Sequence, residues 1–417
     1  MDRYKRLTQI EDYQEFVGRE TIERIRKKAK PLQGKMVAHI NSTFYGGGVA
    51  EMLSPLTLLM NSVGLKAEWK VIQGSPDFFS ITKKMHNALQ GADINLTTIK
   101  KDTYENVLFE NAVRNRMDHD YVIVHDPQPL GIINFYEKRQ PWIWRCHIDL
   151  SRPNQKLFSY LRPYIQQYDA VILTLKEYKQ ELTPPQVFFM PAINPFCVKN
   201  KKLTEQEMQG RFDHHGIPTD KPLVVQVSRF DKWKDPVGVI EAFKIARKEV
   251  DAHLVLLGNI ATDDPEGEEI YKNLLDLQDE TITILSHQDS ALVNALQSKA
   301  GVVLQKSLRE GFGLTVTEAM WKEAAVIGGR VGGIVHQIED GVNGFLVSSV
   351  EEAAKRIVQL LKDKKLRKKM GKQARKTVKE KFLLIRYLEQ YLDLFNSFET
   401  SYNLNLAKYK ESSVSNY

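Results

Sequence analysis

What most constrains the fold of this chain is an alternation that runs through it twice. Short apolar runs rich in β-branched residues are separated by stretches of helical periodicity. In the first half the runs are "MVAHINS" (36–42), "AEWKVIQ" (67–73), "YVIVH" (121–125), "WIWRCHI" (142–148), "AVILTL" (170–175) and "VFFMP" (187–191). In the second half they are "LVVQVSR" (223–229), "HLVLLGN" (253–259), "ITILS" (282–286), "VVLQKS" (302–307), "AVIGG" (325–329) and "GFLVS" (344–348). Segments such as "VAEMLSPLTLLMNSVG" (49–64) and "PVGVIEAFKIARKE" (236–249) lie between them. Strands that are apolar without interruption are buried on both faces, which requires a parallel sheet with helices on each side. The expected fold class is therefore α/β, with two doubly wound, Rossmann-like domains facing each other across a cleft.

A length of 417 residues agrees with two domains of roughly 200 each. The polar, turn-rich "FDHHGIPTDKP" (212–222) marks the expected boundary. We therefore expect one domain over 1–215 and a second over 216–382. A C-terminal helix over 383–403 should return to the first domain, followed by a frayed tail over 404–417. No run approaches 18 apolar residues, and the first residues carry charge without an apolar core, so neither a membrane span nor a secretory signal is expected. Two cysteines far apart, Cys146 and Cys197, argue against a disulfide framework or a zinc module and fit a reducing cytoplasm. The net charge of +7 owes much to 362–381, "KDKKLRKKMGKQARKTVKEK". Without interleaved aromatics for base stacking, that stretch reads as the solvated face of surface helices and implies no nucleic-acid partner.

Ligands of doubly wound sheets bind beyond the carboxyl ends of the strands. The first strand runs into Gly46, Gly47 and Gly48, which let backbone amides approach an anion at a helix N-terminus; a tight turn would use the same residues. Their spacing matches neither a dinucleotide fingerprint nor a Walker loop. The third strand ends in His125, Asp126 and Gln128, and the fourth in His147 and Asp149, a polar set suited to a sugar or a phosphate. After the first strand of the second half come Arg229 and Lys234, a fork and a point charge suited to a diphosphate. Later, "REGFGLTVTE" places Glu310 in a loop with Gly311 and Gly313, and Glu318 about a turn and a half into the following helix. Two glutamates placed for two polyols, with phosphates between them, describe a sugar nucleotide. "DHD" (118–120) looks like a metal-binding D-x-D but precedes its strand, so it reads as a solvated turn.

The spacing Glu310-x7-Glu318 with "SRFDKWK" upstream resembles the retaining glycosyltransferases of family 4, which have the GT-B fold. "HINSTFYGGGVAEML", "HDPQP", "PWIWRCHIDLS", "DDPEG", "REGFGLTVTEAMWK" and "GVNGFLV" resemble more narrowly the trehalose glycosyltransferring synthases, which join an NDP-glucose to free glucose. The likeness runs from about residue 10 to 400. It implies an N-terminal acceptor domain and a C-terminal nucleotide-sugar domain. Arg229 and Lys234 would hold the donor diphosphate, Glu310 the transferred sugar, and Glu318 the ribose. Gly46 to Gly48 and Gly311, Phe312, Gly313 and Leu314 would line the donor, and His147 would lie near the reacting sugar. His125, Asp126 and Gln128 are expected on the acceptor. Two positions depart from the pattern: Asp235 stands where a glycine follows the lysine, and Asn194 where an acid is more usual.

On this reading the chain is a hexosyltransferase forming α,α-trehalose reversibly from NDP-glucose and glucose. Arg229, Lys234 and the helix amides stabilise the leaving diphosphate, so no cofactor is required and Mg2+ would act only through the nucleotide. Retention could follow from front-face attack or from double displacement. The expected partners are these substrates, with no membrane and a homodimer as one possible assembly. A phosphorylase on the same scaffold is the nearest rival, followed by a GT-B transferase with another small acceptor. A DNA glucosyltransferase and a non-catalytic sugar sensor are the remaining classes.

Overall fold

The computed structural model describes residues 7–44, 47–258 and 265–414. The chain divides into two units, Met1–Pro191 with Leu384–Tyr417, and Ala192–Leu383. Each is built on one six-stranded sheet. In the first, β1 (Met36–Asn41), β2 (Lys66–Val71), β3 (Tyr121–His125), β4 (Trp142–Arg145), β5 (Ala170–Leu173) and β6 (Gln186–Phe188) run in the order β2-β1-β3-β4-β5-β6. In the second, β7 (Leu223–Val227), β8 (His253–Gly258), β9 (Ile282–Ser286), β10 (Val302–Gln305), β11 (Val326–Gly329) and β12 (Phe345–Val347) run in the order β12-β11-β10-β7-β8-β9. Every strand pair in both sheets is parallel. Residues of β3, β4, β5, β7 and β8 are buried at each position, as helices on both faces require.

Each apolar run of the sequence overlaps a strand, but several strands stop sooner than the run does. β4 ends at Arg145, β7 at Val227 and β10 at Gln305. Past the end of β4 the backbone finds a side-chain partner, the amide of His147 donating to Asp126 Oδ1 at 2.7 Å. This early exit moves His147, Arg229 and Lys306 off the strands and into loops.

The division falls at Pro191/Ala192 rather than at 215/216. The helix Glu205–His215 buries Met208 and Phe212 with Ile217, Leu223, Val225 and Leu292, all belonging to the second unit. At the other end, the helix Leu384–Val414 belongs to the first unit and buries Tyr387, Leu388, Tyr391, Leu392 and Phe395. Phe395 stacks on Tyr121, and Arg24 and Lys28 pair with Glu389. The helical backbone continues past residue 404, through a stretch rich in Leu, Ala, Lys and Glu, where the sequence suggests a frayed tail.

The basic stretch forms the helix Lys364–Lys381, whose buried positions are Met370, Gly371, Ala374 and Val378. Its lysines occupy the remaining face. Asp120 of "DHD" accepts from the Met36 amide at 2.8 Å and pairs with Lys35, at the amino end of β1 and β3. Trp142 and Trp144 are fully buried in β4. Cys146 and Cys197 are free thiols. Among the described residues no helix is long and apolar enough to cross a membrane.

Candidate active site

Each sheet has a point where the strand order reverses, between β1 and β3 in the first unit and between β7 and β10 in the second. Loops leaving such a point diverge and open a crevice at the carboxyl ends. The sequence-selected residues gather at these two places, each within its own unit.

In the first unit, three imidazoles form a row across β1, β3 and the end of β4. His39 Nδ1 lies 3.0 Å from His125 Nε2, and His125 Nδ1 lies 3.0 Å from His147 Nε2. His39 and His125 are fully buried, whereas His147 is partly exposed. Burial is the main reason all three are held below the usual histidine range, to about 3 for His39. The fully buried Arg145 guanidinium adds to this for His125 and His147.

Asp126 adopts φ +62°, a left-handed conformation uncommon for a residue with a side chain. Its backbone N–H donates to Arg145 O at 2.9 Å, and its carbonyl accepts from the Trp144 indole at 3.1 Å. Its carboxylate accepts from the His147 amide, so three neighbours over-determine the strained residue. Burial pushes the Asp126 carboxyl up to about 7, against the opposing pull of the His147 amide and Arg145. Tyr104 pins the same loop, donating to Pro127 O at 2.8 Å and accepting from the Gly131 amide at 3.0 Å. Gln128 is half-buried, with Oε1 shielded and without a protein partner among the described residues. Gly47 and Gly48 open the helix Gly47–Ser62 rather than lying in a loop, and Gly46 lies outside the described residues.

In the second unit, Gln226 of β7 and Asp231 shape the loop that carries the cations. Asp231 accepts from the Trp233 amide at 2.8 Å, and the Gln226 side chain donates to Lys234 O at 2.8 Å. Arg229 is exposed and lies 3.5 Å from Asp231. Lys234 forms an ion pair with Glu310, both largely shielded, and Ser307 Oγ stands 3.4 Å from the same carboxylate. Gly313 takes φ +86° at the head of the helix Leu314–Trp321. Gly311 and Leu314 are half-exposed beside it. Phe312 turns its ring into the core against Phe382, and its carbonyl accepts from Gln337 Nε2. Glu318 is buried, with Oε1 3.6 Å from Lys199 Nζ. One turn on, Lys322 donates to Glu318 O, Asn200 and Gln297, and burial lowers it to about 8.

Both departures from the resemblance acquire a physical account. Asp235 sits at φ +51°, where a glycine would be relaxed. It caps the helix Pro236–Ala246 through the Gly238 amide and pairs with Lys306, so its charge is neutralised locally. Asn194 uses Oδ1 to accept from the Phe196 amide at 3.0 Å, a turn that an aspartate would make equally well.

Sequence reading passed over His39, which looks like one more strand residue in "MVAHINS". It also passed over "GGRVGGIVHQ" (328–337). A Cβ on Gly332 would fall 1.7 Å from Glu310 O, and one on Gly333 would fall 2.3 Å from Phe312 Cα. These glycines let a second loop press against 310–312, and Gln337 fastens it. A glycine pair ending a strand and a second pair three residues on were the available signal.

Comparison with known proteins identifies the family. Residues 39–180 match the family described as trehalose synthase, N-terminal domain, and residues 209–377 match glycosyl transferases group 1. A trehalose synthase of Thermococcus litoralis is 45% identical over 399 residues, covering 93% of this chain and 97% of that protein. A trehalose phosphorylase of Pleurotus pulmonarius is 28% identical, covering 89% of this chain and 58% of its own length. Among solved structures, an α,α-trehalose-phosphate synthase of Burkholderia xenovorans shares the fold at a TM-score of 0.69. The two are 13% identical, with 87% of this chain and all of that one covered.

Proposed function

The chain belongs to the trehalose synthase family of GT-B glycosyltransferases, and from that premise we propose a retaining transfer of glucose from an NDP-glucose to free glucose, reversibly giving α,α-trehalose. The observation that carries the reading is the match to a trehalose synthase along nearly its whole length. The second unit takes the donor and the first takes the acceptor.

Breaking the donor C–O bond builds positive charge on the sugar and negative charge on the departing diphosphate. In this reading Arg229, Lys234 and the amides heading Leu314–Trp321 neutralise the diphosphate, which draws the two cations from Asp231 and Glu310, the partners they hold in this structure. No metal is required in this reading, and Mg2+ acts only through the nucleotide. Glu318 accepts the ribose diol, and Glu310 accepts a hydroxyl of the transferred sugar. Because Glu310 has Ser307 beside it and is taken up by that hydroxyl, it is poorly available as a carbon nucleophile. That supports front-face attack, in which a departing phosphate oxygen takes the proton of the acceptor hydroxyl. The new bond then forms on the face the diphosphate leaves. Asp126, Gln128 and His147 form a compact polar set that suits a monosaccharide better than a polymer. His125, expected on the acceptor, is fully buried with both ring nitrogens engaged by His39 and His147, and stands behind that set.

The test is a panel of NDP-glucoses offered with glucose, glucose 6-phosphate or maltose, with the product linkage read by NMR. Free glucose should be the preferred acceptor, the product should be non-reducing, and EDTA should leave turnover in place. A reducing product, or faster transfer to glucose 6-phosphate, overturns the acceptor assignment. The likeness to trehalose phosphorylases favours one competing reading, cleavage of trehalose by orthophosphate. Faster trehalose cleavage with orthophosphate than with any nucleoside diphosphate would establish it.

A further inference from the structure

The histidine row has a property that none of its members has alone. A neutral imidazole carries one N–H, so its two nitrogens cannot both donate or both accept. His125 is flanked on both nitrogens by other imidazoles at 3.0 Å. Whichever way it points its proton, its neighbours must follow, and the three tautomers are set together. Two self-consistent arrangements exist. In one, His39 Nδ1–H donates to His125, and His125 Nδ1–H donates to His147 Nε2, leaving the proton of His147 on Nδ1. In the other every bond is reversed, and His39 must carry its proton on Nε2.

The buried end of the row decides between them. His39 Nε2 is shielded from water and has no hydrogen-bond partner among the described residues. A buried donor without a partner is rarer than a buried acceptor without one. The first arrangement leaves a bare acceptor there, and the second an orphaned N–H. Charging the row is disfavoured as well, because burial and Arg145 both oppose a protonated ring.

We propose that His39 and His125 are positioning residues that lock His147 as the Nδ1–H tautomer, so that it meets the sugar as a fixed donor rather than as a base. His147 is the only ring of the three with exposed surface, and Nε2 is already taken by His125. What remains for a ligand is therefore Nδ1–H, which donates to a sugar oxygen and accepts no proton. This deepens the transfer proposed above and rests on it for the identity of the sugar. It fits a reaction in which the phosphate, not the protein, takes the acceptor's proton.

The test reads the tautomer directly, by long-range 1H–15N NMR of the full chain labelled in its histidine rings. His147 should show a protonated Nδ1 and an unprotonated Nε2 at neutral pH. His39→Leu should relax this to an average of both tautomers. Turnover should then fall roughly tenfold or more, with little change in donor KM, because orientation rather than donor binding is lost. His39→Asn, whose amide can replace the Nδ1–H donor, should restore both readouts towards wild type. A wild-type His147 that is protonated on Nε2, averaged or charged overturns the proposal without any variant. So does a folded His39→Leu protein with unchanged spectrum and turnover. The spectrum does not depend on the substrate: a locked Nδ1–H in a protein that fails to make trehalose would sink the acceptor assignment and leave the row standing.

Discussion

Asp235 and Lys306 pair at the head of the helix Pro236–Ala246, with 18% and 8% of their side-chain surfaces exposed. Removing one member of such a pair leaves the other charge shielded and uncompensated. Asp235→Asn keeps the capping oxygen but removes the carboxylate. It should lower stability by about 1–3 kcal/mol, measured by urea denaturation. Donor KM should not rise, since Asp235 places no net charge before the phosphates. An unchanged unfolding midpoint would show that the pair contributes nothing.

Arg229→Ala and Lys234→Ala should each reduce kcat by ~10²-fold or more at saturating donor, because both charges act on a leaving group. Lys234→Ala should be the more damaging, because it also frees the Glu310 carboxylate to repel phosphate. Adding Glu310→Gln to Lys234→Ala should then recover part of the donor affinity. Near-normal turnover in either single variant would contradict the leaving-group role.

Glu318→Ala should raise donor KM more than it lowers kcat, since a ribose contact is made equally in the ground and transition states. The same change removes the charge that holds Lys322 up against its burial, so the lysine should titrate below about 8. A depressed lysine binds fewer protons folded than unfolded. The fold should therefore gain stability as pH rises from about 8 towards 10, and this window should widen downwards in the variant. Donor saturation curves and pH-dependent denaturation check the two halves separately.

Burial pushes the Asp126 carboxyl up to about 7, and the proposed role of accepting from sugar hydroxyls is served by its ionised form. kcat/KM for the acceptor should rise with pH through that value, and Asp126→Asn should lose this limb together with most of the activity. For stability the sign is opposite. A carboxyl raised from 3.8 to about 7 contributes fully below pH 4, and that contribution is lost as pH climbs through 7. A wild-type rate profile flat between pH 6 and 8 would refute the assignment.

Much of this was legible in the chain. Continuous apolar runs announce strands because burial on both faces leaves no room for polar alternation. Arg229, Lys234 and Glu310 announce themselves as charges in loops that follow strands, and Glu318 by its spacing from Glu310 into the next helix. Other features were not legible, for reasons of the same kind. The helix Glu205–His215 has only two buried residues, Met208 and Phe212, so its allegiance to the second sheet is decided by tertiary contacts. The partner that neutralises Asp235 lies 71 residues away. His39 reads as a strand residue until β1 is placed beside β3, a neighbour relation that the sequence order does not state.

The return of Leu384–Val414 to the first unit makes that unit discontinuous, and this orders events during synthesis. Residues 192–383 form a contiguous body that can fold as soon as it clears the ribosome. The older half of the nascent chain must wait with one flank uncovered until Tyr387, Tyr391 and Phe395 arrive to close over Tyr121 and His39. A chain ending at Leu383 should therefore keep a protease-resistant second unit while its first unit is digested. The histidine row is thus completed among the last steps of folding, although its own three residues are among the early ones to be made.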